Sequence, residues 1–192
     1  MELKKDKNLA VFLDRDGVII KDKHHLHRIE DIEIIPNADN GIKILNECGY
    51  LVIVVSNQSV VARGLCSIEE VNQANGYIQA LFRRSGAHID GFYFCPHNPT
   101  IGISKEYTRI CECRKPKPGM LFQAKKDFHI GNLADCFMIG DSMSDIEAGK
   151  AAGCKTILVQ TEYGDDKLKD AIPDYVSRDL YSASLLIQGG RK

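Results

Sequence analysis

N-L-A-V-F-L-D-R-D-G-V-I-I, residues 8–20, is the stretch from which the fold can be predicted. Its apolar residues 9–13 form a short continuous run of the kind that is buried on both faces of a parallel sheet. The run leads directly into two carboxylates, Asp14 and Asp16, and then into Gly17, where the chain can turn at low steric cost. Ligands of open α/β sheets bind at the carboxyl ends of the strands. The pair of acids therefore suggests metal-assisted phosphoryl chemistry with a carboxylate nucleophile, although a polar turn that merely ends a strand gives the same pattern.

The rest of the chain alternates between strand and helix signals. Apolar runs predict further strands over residues 51–55, 91–95, 136–139 and 155–159. Helices are predicted from Pro36 to Gly49, from a capping box at residues 67–70 to about Arg84, from Pro118 to about His129, and from a capping box at residues 144–147 to Gly153. The tail adds an apolar pair at residues 175–176 and a helix around residues 185–187. This alternation predicts an α/β fold with a Rossmann-like, doubly wound, mainly parallel sheet and right-handed crossovers.

Polar groups follow several of the predicted strands directly. Asp14, Ser56 and Asp141 each come after a buried apolar run, so we expect all three at one edge of the sheet. A single polar residue after a strand is easily explained as part of a turn. Three such residues, gathered from three strands at one edge, are much harder to explain in this way. The gathering of these residues therefore favours a catalytic site.

Size and composition limit the possible functions. A chain of 192 residues is long enough for one domain, residues 1–192, with its own core. Its 25 basic and 26 acidic residues give a net charge of −1, which offers no basic field for nucleic acid. No apolar run reaches the length of a membrane span, and Asp14 interrupts the first run too early for a signal peptide. We expect a cytoplasmic, monomeric protein without nucleic-acid or membrane partners.

Cleavage of a phosphate ester by a carboxylate requires Mg²⁺ to reduce the repulsion between the two anions. Asp14 and Asp141 can supply oxygens for the ion, and the backbone carbonyl near Asp16 can supply another. Asp145 stands in G-D-S-M-S-D, where it could support the metal through water or interact with the dipole of the following helix. Both roles of Asp145 remain open from the sequence.

The same chemistry assigns the remaining roles. Asp14 would attack phosphorus to form an aspartyl-phosphate, while Asp16 would protonate the leaving oxygen and then activate water. The Ser56 hydroxyl and Lys115, which lies in R-K-P-K-P, would bind the other phosphoryl oxygens. The basic cluster on its own is more often typical of a solvated turn.

A second constellation lies in residues 95–113. C-P-H at Cys95 to His97 and C-E-C at Cys111 to Cys113 offer three thiolates and an imidazole, the closed ligand set of a structural zinc site. The alternative is buried thiols and a surface histidine, but the loop is rich in Pro and Gly and has little apolar material. We expect zinc to fold this loop and to fix the two basic residues that follow Cys113. The other four of the seven cysteines are isolated in the sequence, and we expect them to be small buried apolar residues. They are Cys48, Cys66, Cys136 and Cys154.

The polar segment after the first strand contains His24, His25 and His27. No acid or cysteine stands at regular spacing from them, so a solvated mobile loop is the preferred interpretation. Contact with substrate is the alternative, and the sequence does not decide their role.

At this point the sequence resembles the haloacid dehalogenase superfamily of phosphatases. The superfamily's motifs match in order at D-R-D-G-V (Asp14), S-N-Q-S (Ser56), R-K-P (Lys115) and G-D-S-M-S-D (Asp141). More narrowly, S-N-Q-S-V-V-A-R-G, C-P-H and C-E-C-R-K-P-K-P-G-M resemble the D,D-heptose 1,7-bisphosphate phosphatases and the related histidinol-phosphate phosphatases. The resemblance covers most of the chain.

The resemblance implies a set of site residues. Asp14 would be the nucleophile, Asp16 the general acid and base, and Mg²⁺ would be held by Asp14, by the carbonyl of Asp16 and by Asp141. Ser56, Asn57 and Lys115 would bind the transferring phosphate. Arg114 would help to bind substrate, including a second phosphate. The resemblance also implies a zinc-stapled loop in place of a large cap domain.

The leading hypothesis is a Mg²⁺-dependent phosphatase that removes the C7 phosphate of a heptose 1,7-bisphosphate, a phosphorylated sugar used for lipopolysaccharide. Hydrolysis of histidinol phosphate is the alternative, but Arg114 and Lys117 suit a second phosphate better than an amine. A DNA-end phosphatase or a zinc-bearing nucleic-acid module is disfavoured by the balanced charge. The sequence does not indicate which anomer is cleaved.

Overall fold

The computed structural model describes residues 8–23, 28–160 and 172–190 and contains a six-stranded sheet. Its strands are β1 (Ala10–Leu13), β2 (Leu51–Asn57), β3 (Gly91–Cys95), β4 (Phe137–Gly140), β5 (Lys155–Val159) and β6 (Tyr175–Ser177). Their order in the sheet is β3-β2-β1-β4-β5-β6, and every neighbouring pair is parallel. The predicted parallel α/β fold is therefore confirmed, and the first strand of the chain lies inside the sheet between β2 and β4.

Five helices cover the sheet in the described part of the chain: α1 (Ala38–Glu47), α2 (Ile68–Arg84), α3 (Gly119–Asp127), α4 (Met143–Ala152) and α5 (Leu180–Gly189). Val11 and Leu13 of β1 face a core that includes side chains of α1, α2 and α5. Ala10 and Phe12 face the opposite core, which α3 and α4 complete. All residues of β1 are fully buried because helices lie on both faces, which explains the uninterrupted apolar run. Among the described helices, none has the length and apolar character that crossing a membrane requires.

Most predicted element ends agree with the structure, but one capping box was misplaced. The box at Ser67 and Glu70 forms as predicted. The prediction of a box at Ser144 to Glu147 is wrong, because the carboxylate of Asp145 accepts hydrogen bonds from the backbone and hydroxyl of Ser142 instead. Ser142 is in extended conformation directly after β4, so α4 begins at Met143 and Ser144 already lies in its first turn.

Candidate active site

The groups predicted at the ends of strands lie together at the carboxyl edge of the sheet. Asp14 follows β1, Ser56 and Asn57 end β2, and Asp141 follows β4, and these three strands are direct neighbours. The same cleft is also lined by Asp16 and Lys115. The topology thus brings together residues from distant parts of the chain, as the alternation of strands and helices predicted.

The centre of the cleft is acidic. Carboxylate oxygens of Asp14, Asp141 and Asp145 all lie within 4.8 Å of one another, which is the donor set that a hard divalent cation requires. Gly17 makes room for this arrangement. It has a φ of 80°, and a Cβ atom at this position would lie 1.9 Å from Oδ2 of Asp141. The residues present therefore fit a Mg²⁺ ion.

Lys115 is the cation of this cluster. Its ammonium lies 2.9 Å from Oδ1 of Asp14 and 2.6 Å from Oδ1 of Asp145, and it donates to the carbonyl of Val55 at 2.8 Å. The side chain is almost completely buried. Burial alone would lower the pKa of Lys115, but the carboxylates of Asp14 and Asp145 outweigh it and raise the pKa above its ordinary value. Lys115 therefore remains charged at neutral pH.

Carboxylates outnumber ammonium groups in this cluster. Burial raises the pKa of the Asp14 carboxyl well above its ordinary value, the neighbouring Asp145 and Asp141 raise it further, and Lys115 opposes the shift. One ammonium thus faces several carboxylates. A divalent cation at this position would relieve the remaining repulsion.

Asp145 is fixed at the start of α4 and is completely buried. One oxygen accepts from Ser142, and the other pairs with Lys115. The structure therefore shows Asp145 as a cap of α4 and a partner of Lys115. Its support of a metal through water stays a prediction.

Asp16 is held by a network that the sequence did not reveal. The guanidinium of Arg15 donates to both oxygens of Asp16, at 3.1 and 3.2 Å, and the amide of Gln58 donates to Oδ2 of Asp16 at 2.8 Å. Arg15 also donates to Gln58 at 2.8 Å and to Asn75 of α2 at 3.2 Å. The signal available in the sequence was the position of Arg15 between two acids in an otherwise apolar stretch.

Asn57 joins the end of β2 to the segment around Lys115. Its side-chain amide donates to the carbonyl of Lys115, and its side-chain oxygen accepts from the backbone N–H of Lys115, both at 3.0 Å. The side chain thus acts as a two-point link between two loops of the cleft.

Arg114 and Lys117 have other partners. Arg114 donates to the carbonyl of His97 at 3.0 Å, and Lys117 forms an ion pair with Glu112. Neither is among the residues that line the cleft. Substrate binding by Arg114 therefore stays a prediction.

The Cys/His cluster lies beside the cleft. The Sγ atoms of Cys95, Cys111 and Cys113 are 3.3–3.5 Å apart, and Nδ1 of His97 is 3.5 Å from Sγ of Cys95 and 3.4 Å from that of Cys113. A tetrahedral zinc ion with Zn–S bonds of about 2.3 Å would place its sulfurs about 3.8 Å apart, so a small expansion accommodates the ion.

Burial and charge also suit a metal at this cluster. His97 is buried, not a surface residue. The hydrogen bond with Cys95, followed by those with Cys111 and His97, lowers the pKa of Cys113 to about 5. In contrast, the hydrogen bond with Cys113 and burial raise the pKa of Cys95. At least one thiolate, the form that binds metals, is therefore favoured.

The other cysteines and histidines considered in the sequence analysis lie outside these two sites or outside the described residues. Cys136 and Cys154 are buried as expected, whereas Cys48 and Cys66 are only half-buried. His24, His25 and His27 lie outside the described residues.

Comparisons with known proteins identify the family and the fold. A family model described as HAD-hydrolase-like matches residues 112–183. The chain is 40% identical to a D-glycero-D-manno-heptose-1,7-bisphosphate 7-phosphatase of Thermosynechococcus vestitus over 91% of this chain and 92% of the relative. It is 42% identical to a D-glycero-beta-D-manno-heptose-1,7-bisphosphate 7-phosphatase of Haemophilus ducreyi over 79% of this chain and 83% of the relative.

A solved structure is similar over nearly the whole length. The D,D-heptose 1,7-bisphosphate phosphatase of B. bronchiseptica, crystallised with magnesium and phosphate, superimposes with a TM-score of 0.81 at 28% identity. The match covers 95% of this chain and 99% of that protein.

Proposed function

The chain belongs to the haloacid dehalogenase-like phosphatases, the family of these relatives, and we propose that it removes the C7 phosphate of a D-glycero-D-manno-heptose 1,7-bisphosphate. The observation that carries the proposal is the position of Asp14. Its carboxylate stands at the carboxyl end of β1, with the ammonium of Lys115 at 2.9 Å and the carboxylate of Asp141 close by. This is where an attacking carboxylate, a metal and a phosphoryl group would meet. The product would serve the assembly of heptose-containing lipopolysaccharide.

The proposed cofactor of this reaction is Mg²⁺. Asp14, Asp141 and the backbone carbonyl of Asp16 would hold the ion, which when bound reduces the repulsion between the nucleophile and the phosphoryl group. The fit of the carboxylate cluster and the magnesium in the similar solved structure support this assignment.

The chain's own residues would carry the steps. Asp14 attacks phosphorus and forms an aspartyl-phosphate, while the bond from phosphorus to the sugar oxygen breaks. Asp16 donates its proton to that leaving oxygen. Asp16 then takes a proton from water, whose oxygen attacks phosphorus and releases phosphate from Asp14.

The transferring phosphate would be held by donors around the cleft. The hydroxyl of Ser56 and the ammonium of Lys115 would bind its oxygens, because both line the cleft near Asp14. Asn57 would contribute mainly by holding the backbone of Lys115. Arg114 would reach a second phosphate only if it exchanged its bond to the carbonyl of His97.

We also propose a structural zinc ion bound by Cys95, His97, Cys111 and Cys113. A set of four protein ligands leaves no open position, so the ion would organise the loop and take no part in the reaction. We further propose that residues 1–192 act as one cytoplasmic, monomeric domain on a free phosphorylated sugar. The net charge of −1 supports the absence of a nucleic-acid partner.

The decisive experiment compares kcat/KM for both anomers of heptose 1,7-bisphosphate and for histidinol phosphate. A preference of tenfold or more, equal to about 1.4 kcal/mol of transition-state binding, is expected for a bisphosphate anomer. The protein is assayed after removal of Mg²⁺ and again after its return, with zinc left in place. A preference for histidinol phosphate would contradict the substrate, and full activity without Mg²⁺ would contradict the mechanism.

A further inference from the structure

We propose that Arg15 is a positioning residue that aligns the carboxyl group of Asp16 for proton transfer. The inference rests on the proposed role of Asp16 as general acid and base. Neither the motifs of the sequence nor the proposed mechanism assigns a role to Arg15.

The first observation is the geometry of the contact. Nε of Arg15 donates to Oδ2 of Asp16 at 3.1 Å, and Nη2 donates to Oδ1 at 3.2 Å. Two parallel bonds from a planar guanidinium fix both the position and the plane of a carboxylate, which a single bond does not. The rotation of the Asp16 side chain is therefore restricted by its sequence neighbour.

The second observation is that the guanidinium is itself immobilised. Arg15 is 2% exposed, and its Nη1 donates to Asn75 of α2 while Nη2 also donates to the side-chain oxygen of Gln58. The amide of Gln58 in turn donates to Oδ2 of Asp16 at 2.8 Å and to the hydroxyl of Ser56 at 2.7 Å. Groups from the ends of β1 and β2 and from α2 thus define one orientation of the acid.

The third observation indicates that Arg15 does not bind the substrate directly. Every nitrogen of its guanidinium already donates to a protein acceptor. Asp16 keeps 22% of its side chain exposed in the cleft. Asp16 can therefore reach a leaving oxygen, and Arg15 acts on the reaction only through Asp16.

This arrangement predicts a dependence on the leaving group. Departure of a sugar alkoxide needs a proton from a well-oriented acid, whereas departure of p-nitrophenolate needs little help. A misaligned Asp16 should thus lower kcat/KM, which covers the steps up to departure of the leaving group, for the sugar ester and leave it unchanged for the aryl ester. A general loss of structure would slow both.

The experiment measures kcat and KM of the Mg²⁺- and zinc-loaded protein on heptose 1,7-bisphosphate and on p-nitrophenyl phosphate. In Arg15→Lys, which keeps the charge and loses the pair of parallel hydrogen bonds, we expect kcat/KM for the sugar ester to fall about 100-fold, within the range that a positioned acid contributes. The kcat/KM for p-nitrophenyl phosphate should change less than about threefold, because it does not include the later hydrolysis of the aspartyl-phosphate, in which Asp16 also takes part. Arg83→Lys, at an exposed arginine of α2, is the matched control and should leave both substrates unaffected.

Asn75→Ala gives an independent test if Arg15→Lys does not fold. It removes one bond to the guanidinium and no charge, so the same selective loss on the sugar ester should appear at about fivefold. Equal losses on both substrates, or no loss, in the variants that fold would overturn the proposal.

Asp16→Asn separates this result from a failure of the proposed function. A selective loss in Asp16→Asn without one in Arg15→Lys or Asn75→Ala would overturn the role of Arg15 alone. The absence of a selective loss in Asp16→Asn itself would overturn the assignment of the general acid, and the proposal with it.

Discussion

The carboxylate cleft and the Cys/His cluster lie side by side at one edge of the sheet, but they are built for different purposes. The cleft offers oxygen ligands, and Asp14 and Asp16 keep 13% and 22% of their side chains exposed. The cluster offers sulfur and nitrogen. Cys95 and His97 are 0% and 7% exposed, whereas Cys111 and Cys113 are half-buried. An open oxygen site suits Mg²⁺ and a substrate, whereas a closed thiolate site suits a structural ion. The chemistry of the ligands, more than their accessibility, thus distinguishes the two regions.

The two regions are nevertheless connected. Asn57 and Cys95 are neighbours across β2 and β3, and the N–H of Gln58 donates to the carbonyl of Cys95 at 2.8 Å. On the other side, Cys113 precedes Arg114 and Lys115, and Asn57 holds the backbone of Lys115. The cluster therefore supports the position of the cation in the cleft. The following changes test how far the two regions are separate in function.

Loss of the nucleophile should produce the largest effect and should be confined to the cleft. Asp14→Asn is expected to reduce kcat by at least about 10⁴-fold, as removal of a catalytic nucleophile does in other enzymes. Zinc content and the circular dichroism spectrum should be unchanged. Asp135→Asn, at an exposed acid that precedes β4, is the control. Residual activity above about one per cent would sink the assignment of the nucleophile.

Loss of the buried cation should affect stability as well as activity. Lys115→Met leaves the carboxylates of Asp14 and Asp145 without their partner, so the free energy of unfolding should fall by about 3–5 kcal/mol. Urea denaturation at neutral pH measures this change. Lys117→Met, at a half-exposed lysine of the same segment, should change it by less than about 1 kcal/mol. Similar values for the two variants would show that Lys115 is not the charge that holds the cluster together.

Stabilisation by Mg²⁺ should depend on pH in a known direction. Because burial and then Asp145 raise the pKa of Asp14, the metal-free protein loses stability as pH rises through that pKa, while Mg²⁺ binds the ionised form. Mg²⁺ at a fixed concentration, equal to a hundred times the Kd measured at about pH 8, should therefore stabilise by about 2.7 kcal/mol at that pH and by less at about pH 5.

Thermal unfolding with and without Mg²⁺ measures the effect. Asp14→Asn should abolish it, and Cys111→Ser should retain it. An effect that is independent of pH would mean that Asp14 is not a ligand.

Loss of a zinc ligand should have the smallest effect on the reaction. Cys111→Ser is expected to lower the zinc content below about one ion per chain and to reduce kcat/KM about tenfold, because the segment that carries Lys115 loses its support. Cys48→Ser, at a half-buried thiol outside the cluster, is the control. If zinc is lost and activity is unchanged, the two regions are independent of each other.

The sequence correctly predicted the strands that carry the site and the edge of the sheet at which the site lies. Runs such as residues 51–55 are apolar because both faces of the sheet are covered, and the polar residue that follows each run marks the carboxyl end. In a parallel sheet these ends meet at one edge, so Asp14, Ser56 and Asp141 could be placed together without knowledge of any side-chain contact.

The parts that the sequence missed depend on contacts between distant residues. Arg15 could be recognised as a structural cation only once Asn75 and Gln58 were known to lie beside it. The capping box of α4 was ambiguous because S-x-x-D at residue 142 and S-x-x-E at residue 144 both fit the pattern. The extended conformation of Ser142 directly after β4 makes Ser142 the N-cap residue and so selects the first of the two boxes.

The contact between Gly17 and Asp141 has a consequence for how this protein can evolve. The space that a side chain would need at position 17 is already filled by the carboxylate of Asp141. No larger residue can be accepted at position 17 while the acid at position 141 keeps its place. Among descendants of this chain, glycine should therefore be retained at position 17 wherever the acid at position 141 is retained.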